Sequence, residues 1–257
     1  MIHLSKTTDI KELSIDQLTL WLQNRGFRPF HAGQIFKWVY LHQADAFEIM
    51  TDLAKELRLL LSARFTINRL DKKQIATSKD GTQKYLFKLA DGKHVESVII
   101  PERDHYTLCI SSQVGCAQGC RFCLTGRYGL TRDLTKGEIV SQVRDITKEM
   151  NDSTRLTNIV LMGMGEPLAN YQNVVRALET ITDSDFGLKF SNRRVTLSTT
   201  GLVSKLPDLS RDTRVNLAVS LNATENKTRD MLMPINRRFP VEELMAACRR
   251  YRLHAGR

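Results

Sequence analysis

Three cysteines, Cys116, Cys120 and Cys123, fall within eight consecutive residues of this sequence. Cubane iron-sulfur clusters normally bind four thiolates, so three thiolates leave one iron with an open position for a substrate or cofactor. Gly115 and Gly119 lie beside and within the segment, and they lack the Cβ that would hinder a backbone folding closely around a metal. The spacing therefore predicts a 4Fe-4S cluster with one reactive iron.

Two other interpretations of the three cysteines stay open at this point. One is a structural zinc site, but zinc prefers four ligands in paired spacings, and Cys109 does not complete such a pattern. The other is three unrelated buried cysteines. A disulfide framework is disfavoured, because clustered thiols in a reducing cytosol remain available to metal.

The chain has 257 residues and a formal charge of +10, from 38 Lys and Arg against 28 Asp and Glu. This excess is spread along the sequence and favours a polyanionic partner such as nucleic acid, although a basic enzyme without an RNA partner is an alternative. The sequence shows neither a signal peptide nor an apolar run long enough to span a membrane. We expect a cytoplasmic protein with no membrane partner.

Residues 1–70 are predicted to form a helical domain, because apolar residues recur at helical spacing from residue 10 onwards. Breaks near residues 26–29 and 44–47 divide this region into about three short helices. It is either a helical packing module or a small nucleic-acid-binding domain. In the second case the basic side chains would be Arg25, Arg28, His31 and Lys37.

Residues 71–104 are predicted to form a small antiparallel β connector. Asp80-Gly81 and Asp91-Gly92 separate short alternating runs, and Asp-Gly is a strong hairpin signal. Glu96 lies in one of these alternating runs, so by itself it is interpreted as a solvated strand residue.

Residues 105–257 alternate between strand-length apolar runs and helix-like stretches, which predicts an α/β domain with a parallel sheet covered by helices. The runs end in polar residues, as expected where sites form at the carboxyl ends of parallel strands. Helices are predicted at 135–150, 171–183, 201–209 and 240–251. The predicted strands are Tyr106–Ser111, Asn158–Met162, Arg194–Thr199 and Asn216–Leu221.

The spacing C-x3-C-x-Phe-C resembles the signature of radical S-adenosylmethionine enzymes. Further segments resemble the bacterial dual-specificity RNA adenine-C2 methyltransferases, and the resemblance covers nearly the whole chain. A related family methylates C8 of the same rRNA adenine, and the N-terminal domain and the Gly-Met-Gly-Glu-Pro-Leu context favour C2. The segments that carry the resemblance are Cys109–Cys116, Met162–Leu168, Arg194–Gly201 and Met233–Arg238.

The resemblance implies a partial (β/α) radical S-adenosylmethionine barrel preceded by the helical domain and the β connector. Four parallel strands are too few to close a barrel, so we expect it to be C-terminally incomplete, with 216–221 as an edge strand. Cys116, Cys120 and Cys123 would hold the cluster. Residues matching the family's S-adenosylmethionine site are Gly165, Glu166, Ser198, Ser220, Leu221 and Asn222.

The resemblance also implies a mechanism that uses two S-adenosylmethionine molecules per turnover. The first methylates a C-terminal cysteine, which is absent from this sequence, and the second supplies the radical that moves this methyl group to C2. Glu96 matches the family's proton acceptor, and Cys109 matches the cysteine that forms a disulfide in the last step of the reaction. The implied partners are 23S rRNA, tRNA, an electron donor and a disulfide reductant, and we expect a monomer.

Alternatives to this enzyme are a noncatalytic RNA-binding protein with a structural metal, a truncated inactive descendant and an incomplete record. Cys248 lies in a helix-like stretch, where it is interpreted as a core residue rather than a substitute for the absent cysteine. Because no cysteine follows Cys248, we expect methyl transfer to need sequence beyond Arg257.

Overall fold

The computed structural model describes residues 8–150 and 152–252, so the first seven residues of the predicted helical domain lie outside the described ranges. The three expected N-terminal helices are present. Ser14 caps the first of them in a capping box with Gln17, which satisfies backbone N–H groups that have no partner within the helix. The helices are α1 (Ile15–Gln23), α2 (Phe30–Phe36), continued by a π-helical turn at Lys37–Leu41, and α3 (Lys55–Arg64). Strands β1 (Thr8–Asp9) and β2 (Phe65–Thr66) pair in parallel.

The described chain divides into two compact units. Of the described residues, the first comprises 8–70, 135–150, 152–153 and 176–190. It contains α5 (Lys136–Glu149), whose fully buried Arg144 donates to the carbonyl oxygens of Val39 at 2.8 Å and Ala44 at 2.6 Å. The same guanidinium reaches the carboxylates of Asp45 and Asp145, each at 2.8 Å. These bonds satisfy a charge that would otherwise be costly to bury.

The second unit comprises residues 71–134, 154–175 and 191–252 of the described chain. It is built on a seven-stranded sheet in the order β11-β10-β9-β6-β5-β4-β3. β6, β9, β10 and β11 are parallel, whereas β3 to β6 form antiparallel pairs, so the fold class is α/β as predicted. The two Asp-Gly hairpins are present, and their strands continue the parallel sheet. The strands are β3 (Asp71–Thr77), β4 (Gln83–Lys88), β5 (His94–Pro101), β6 (Tyr106–Cys109), β9 (Leu156–Leu161), β10 (Val195–Thr199) and β11 (Asn216–Val219).

The remaining elements lie between these strands or follow the last of them. A second sheet, absent from the sequence prediction, is the antiparallel pair β7 (Gln113–Gly115) and β8 (Leu130–Asp133). No helix in residues 8–150 and 152–252 is long and apolar enough to cross a bilayer. The helices are α4 (Leu124–Arg127), α6 (Tyr171–Thr182), α7 (Leu206–Asp212), α8 (Asn226–Leu232) and α9 (Val241–Arg250).

The seven-stranded sheet has two unlike faces. One face is apolar and buried along β5, β6, β9 and β10, with Leu108 and Ile159 fully enclosed. The other face is half-buried. The register places Val98, Cys109 and Val160 side by side on this second face. Because side chains alternate along a strand, Glu96 shares the face with Cys109.

Candidate functional site

A cavity of about 260 Å³ lies in the second unit, at the carboxyl ends of β9, β10 and β11. This is where parallel sheets usually place their sites. Seven of the residues predicted from sequence line it. They are Cys116, Cys120, Cys123, Gly165, Glu166, Ser198 and Ser220.

The cysteine-bearing loop runs from β7 to α4. Gly115 and Gly119 have φ of +80° and +64°, a left-handed conformation that L side chains rarely adopt, so glycine is required where the loop turns. Two backbone bonds hold the loop: Cys116 N–H donates to the Gly129 carbonyl at 2.9 Å, and Arg121 N–H donates to the Leu232 carbonyl at 2.9 Å. The loop is therefore fixed from both sides.

The thiols are close enough that the charge of one raises the pKa of another. Burial, together with the neighbouring charges of Cys116, Cys123 and Glu166, raises the pKa of the Cys120 thiol to about 11. Burial likewise raises the pKa of Cys116. Thiolates and a carboxylate enclosed in one cavity repel one another. Bound cationic iron would attract them and so favour the thiolate form.

These residues fit a 4Fe-4S cluster held by three thiolates. Within the described ranges, no group of three His, Cys, Asp or Glu side chains converges on one metal position. A cubane does not need such convergence, because each cysteine ligates a different iron. Three thiols around one cavity suit a cubane better than a single structural zinc ion.

The turn after β9 brings Glu166 into the cavity. Gly165 has φ of +102°, and a Cβ there would lie 2.6 Å from Cβ of Gln113, so only glycine fits. The Gln113 side chain accepts a hydrogen bond from Glu166 N–H at 2.8 Å and donates to Asp133 at 2.7 Å. Gln113 thereby connects the turn to the hairpin that carries the cysteine loop.

The Glu166 carboxylate is 2% exposed. Its Oε2 accepts from the backbone N–H and the hydroxyl of Thr200, both at 2.8 Å, and its Oε1 accepts from Leu168 N–H at 3.1 Å. A carboxylate can accept about four hydrogen bonds, so it retains capacity for a cationic group in the cavity. Thr200 is a site residue that the sequence prediction omitted, and its only signal was its place in the polar end of a strand.

Arg229 is a second residue that sequence reasoning missed. Its guanidinium is fully buried and donates to the carbonyl oxygens of Thr200 at 2.7 Å and Leu221 at 3.1 Å, and to Oδ1 of Asn236 at 2.8 Å. Burial lowers the pKa of Arg229, while the neighbouring Cys120 favours its charged form. This buried cation ties the ends of β10 and β11 together beside a cysteine of the loop.

Four predicted site residues do not line the cavity. Leu221 and Asn222 follow Ser220, and Asn222 donates to the Met233 sulfur at 3.2 Å. Glu96 forms an ion pair with Lys84 at 3.0 Å. The fourth, Cys109, shares the half-buried sheet face with Glu96, and burial raises its pKa.

Cys248 lies on α9 and is half-buried, and it is not among the residues that line the cavity. Burial raises the pKa of its thiol. Cys248 is thus a partly buried helix residue and not a fully enclosed one, and its interpretation as a core residue stays a prediction.

The basic side chains proposed from sequence for RNA contact lie in the first unit. Arg28 and Lys37 are exposed. Arg25 stacks over Trp21 at 4.1 Å and donates to its carbonyl at 3.0 Å. The His31 ring contacts the Arg28 carbonyl at 3.0 Å through Nδ1. Lys37 also lies over the Phe186 ring, 5.6 Å from its centroid, and both Arg28 and Lys37 are exposed enough to contact a phosphate.

Comparison with known proteins agrees with this geometry. A family model described as the ribosomal RNA large subunit methyltransferase N-terminal domain matches residues 8–67. The model of the radical SAM superfamily, where SAM is S-adenosylmethionine, matches residues 110–255. A crystal structure of a radical SAM methyltransferase from Sphaerobacter thermophilus is 43% identical, with a TM-score of 0.87 over 95% of this chain and 72% of that one.

Curated relatives are similar over almost all of the chain. The dual-specificity RNA methyltransferase RlmN of Desulfosudis oleivorans is 56% identical over 245 residues, which are 95% of this chain and 66% of the relative. RlmN of Geobacter sulfurreducens is 54% identical over 249 residues, 97% of this chain and 68% of the relative. The chain thus spans about two thirds of their length. It belongs to the radical SAM superfamily and, within it, to the RlmN family of RNA methyltransferases.

Proposed function

We propose that this chain is the cluster-bearing part of an enzyme that transfers a methyl group by radical chemistry to C2 of adenine in 23S rRNA and in the anticodon loop of tRNA. The observation that carries the proposal is that the thiols of Cys116, Cys120 and Cys123 share one cavity with the carboxylate of Glu166. Family membership supplies the expected cofactors, a 4Fe-4S cluster and S-adenosylmethionine.

Adenine C2 lies between two ring nitrogens and is electron-poor, so it cannot attack a sulfonium methyl group as a nucleophile. The bound cofactors supply radical chemistry, which avoids this difficulty. The chain's own contribution is to hold and orient them. The three thiolates hold iron, Glu166 accepts from the methionyl amino group, and Ser198 and Ser220 line the same cavity for the carboxylate and ribose. We extend the ribose contact to Leu221 and Asn222.

Two residues on the half-buried sheet face are assigned to the later steps. Glu96 accepts the C2 proton, and its carboxylate forms an ion pair with Lys84 at 3.0 Å. The Cys109 thiolate attacks the sulfur of the thioether that joins protein and RNA. The bond from this sulfur to the adenine-bound methylene breaks, the methylene carbon keeps the electron pair and takes up a proton to become the methyl group, and the two cysteines are left as a disulfide. Because burial raises the pKa of Cys109, its thiol must lose a proton before it can attack.

The assignment includes two S-adenosylmethionine molecules per turnover, a methyl-carrying cysteine outside this sequence, an electron donor and a disulfide reductant. We assign the protein to the cytoplasm as a monomer. The helical region 1–70 is the proposed RNA-binding domain, 71–104 the connector and 105–257 the catalytic core.

The test is anaerobic reconstitution of the chain with iron and sulfide, followed by reduction with dithionite. The expected result is about four irons and four sulfides per chain and reductive cleavage of S-adenosylmethionine. Methyl transfer to 23S rRNA is then assayed on a version of the protein extended by its downstream coding sequence, and 2-methyladenine is separated from 8-methyladenine. The 257-residue chain, assayed beside it, should not transfer the methyl group. A chain that binds RNA but neither assembles a cluster nor cleaves S-adenosylmethionine is a noncatalytic RNA-binding protein. Formation of 8-methyladenine would overturn the C2 assignment.

A further inference from the structure

The loop that follows the cysteine cluster exposes an unusual concentration of large apolar side chains. Single exposed apolar residues are ordinary on a protein surface, but contiguous patches mark interaction sites. Within nine residues the exposed fractions are 57% for Phe122, 64% for Leu124, 80% for Tyr128 and 44% for Leu130. No other nine-residue stretch of the described ranges holds as many exposed large apolar residues.

This loop is also positively charged. Residues 116–132 contain three arginines and no Asp or Glu. Arg132 is bound to the Asp91 carboxylate at 2.6 Å, whereas the side chains of Arg121 and Arg127 are exposed. We call Arg121, Leu124, Arg127, Tyr128 and Leu130 the loop surface. Its charge complements an acidic partner.

The position of the loop surface decides which partner fits. Leu124 is the first residue of α4, directly after Cys123, and an α-helical rise places Tyr128 about 8 Å along the chain from that cysteine. Phe122, Thr125 and Gly126 line the cavity, but Leu124, Tyr128 and Leu130 do not. A substrate inside the cavity would therefore leave the loop surface uncovered. The loop surface is nevertheless close to the cysteines that would hold the cluster.

We propose that the loop surface docks an acidic protein that carries one electron at low potential and reduces the cluster. The proposal rests on the proposed function, because each reductive cleavage of S-adenosylmethionine consumes one electron. In the docking step the carrier is oxidised by one electron, the cluster is reduced by one, and no bond forms or breaks. Redox encounters use small interfaces and depend on charge for their association rate, which suits a compact patch with two exposed arginines.

An RNA partner fits this surface less well. Tyr128 is the one aromatic side chain of the loop surface that could stack on a base, whereas Leu124 and Leu130 are aliphatic and cannot. Neither residue lines the cavity that would receive the adenine. RNA binding at the loop surface is therefore treated as a competing outcome of the test.

The test uses the reconstituted chain with a plant-type ferredoxin as the probe, since its potential is about −400 mV. The variants are Tyr128→Ser, Leu124→Ser and Arg127→Glu. Matched controls on α9 are Met245→Ser, at an apolar residue 39% exposed, and Arg249→Glu, at an exposed arginine of the same unit. Ferredoxin affinity is measured directly at two salt concentrations, and cluster reduction is followed with ferredoxin and with dithionite.

We expect Arg127→Glu to lower ferredoxin affinity roughly tenfold and to make this affinity less dependent on salt than in the wild type. Ferredoxin-driven reduction of the cluster should be slower in all three variants. Dithionite-driven reduction and both α9 controls should match the wild type. Unchanged ferredoxin affinity in the three variants would overturn the docking proposal. RNA affinity is measured on the same variants, and a loss of RNA affinity with unchanged ferredoxin affinity would show that the loop surface binds RNA. A wild-type chain that assembles no cluster would refute the proposed function itself, which separates the two failures.

Discussion

Glu166 and Thr200 are joined twice: one carboxylate oxygen of Glu166 accepts from both the backbone N–H and the hydroxyl of Thr200, each at 2.8 Å. The bonds connect the turn after β9 with the end of β10 across 34 residues of sequence. They fix the orientation of a buried carboxylate before any ligand arrives. Such preorganisation reduces the entropic cost of binding a cationic group.

We expect Glu166→Gln to weaken S-adenosylmethionine binding by roughly ten- to a hundredfold, because it removes a charge-assisted hydrogen bond of about 1.5–3 kcal/mol. Thr200→Val should have a smaller effect, because the backbone bond remains. Equilibrium binding to the reconstituted protein measures both. Iron content should not change, and Glu225→Gln, at an exposed glutamate of the same unit, is the control. An unaltered affinity in Glu166→Gln would show that this carboxylate has no role in the cofactor site.

Alanine at Cys116, Cys120 or Cys123 should abolish cluster assembly, because two thiolates rarely retain a cubane. Iron and sulfide analysis after anaerobic reconstitution measures this loss. Cys109→Ala and Cys248→Ala are matched controls, since neither side chain lines the cavity, and both should keep the wild-type iron content. Full iron content in any of the three loop variants would contradict the assignment of the cluster ligands.

Lys136 gives a prediction for stability against pH. It is 1% exposed, its ammonium donates to the Leu13 carbonyl at 2.7 Å, and burial lowers its pKa from 10.5 to about 8. The unfolded chain therefore binds more protons between about pH 8 and 10.5, so the free energy of unfolding rises with pH across this window. The cost of burying the charge is fully present below pH 8.

The size of this effect is on the order of 3 kcal/mol, because a tenfold change in the affinity of a group for its proton corresponds to about 1.4 kcal/mol. Denaturant unfolding at pH 7 and pH 10, compared with Lys136→Met, isolates it from other titrating groups. The methionine variant should lack the rise. If both proteins respond equally to pH, Lys136 keeps an ordinary pKa despite its burial.

RNA affinity should fall steeply with salt, by roughly a thousandfold between low and physiological ionic strength if about six phosphates are contacted. Replacing Arg28 and Lys37 together by glutamate should lower the affinity and reduce the slope of log K against log salt by roughly 1.5. Lys55→Glu, at an exposed lysine on α3, is the control for a change in net charge. An equal slope in wild type and double variant would remove these two side chains from the RNA surface.

The sequence alone was sufficient to predict most of the helices and strands, and it singled out three cysteines that the structure places around one cavity. Periodicity placed the N-terminal helices, the parallel strands and helices such as α5 and α6 close to their observed bounds, and Asp80-Gly81 and Asp91-Gly92 placed both hairpins. These features depend on local propensity and on spacing along one chain segment, which the sequence contains in full.

Only the tertiary structure decided which elements meet. α5 belongs to the same compact unit as α1 to α3, where its Arg144 is buried among carbonyl and carboxylate oxygens that no periodicity could identify. The connector strands join the parallel sheet, and Thr200 and Arg229 reach the cavity region through partners far away in sequence. Burying a charge or orienting a carboxylate depends on the geometry of distant backbone groups, which is fixed when the elements pack and not before.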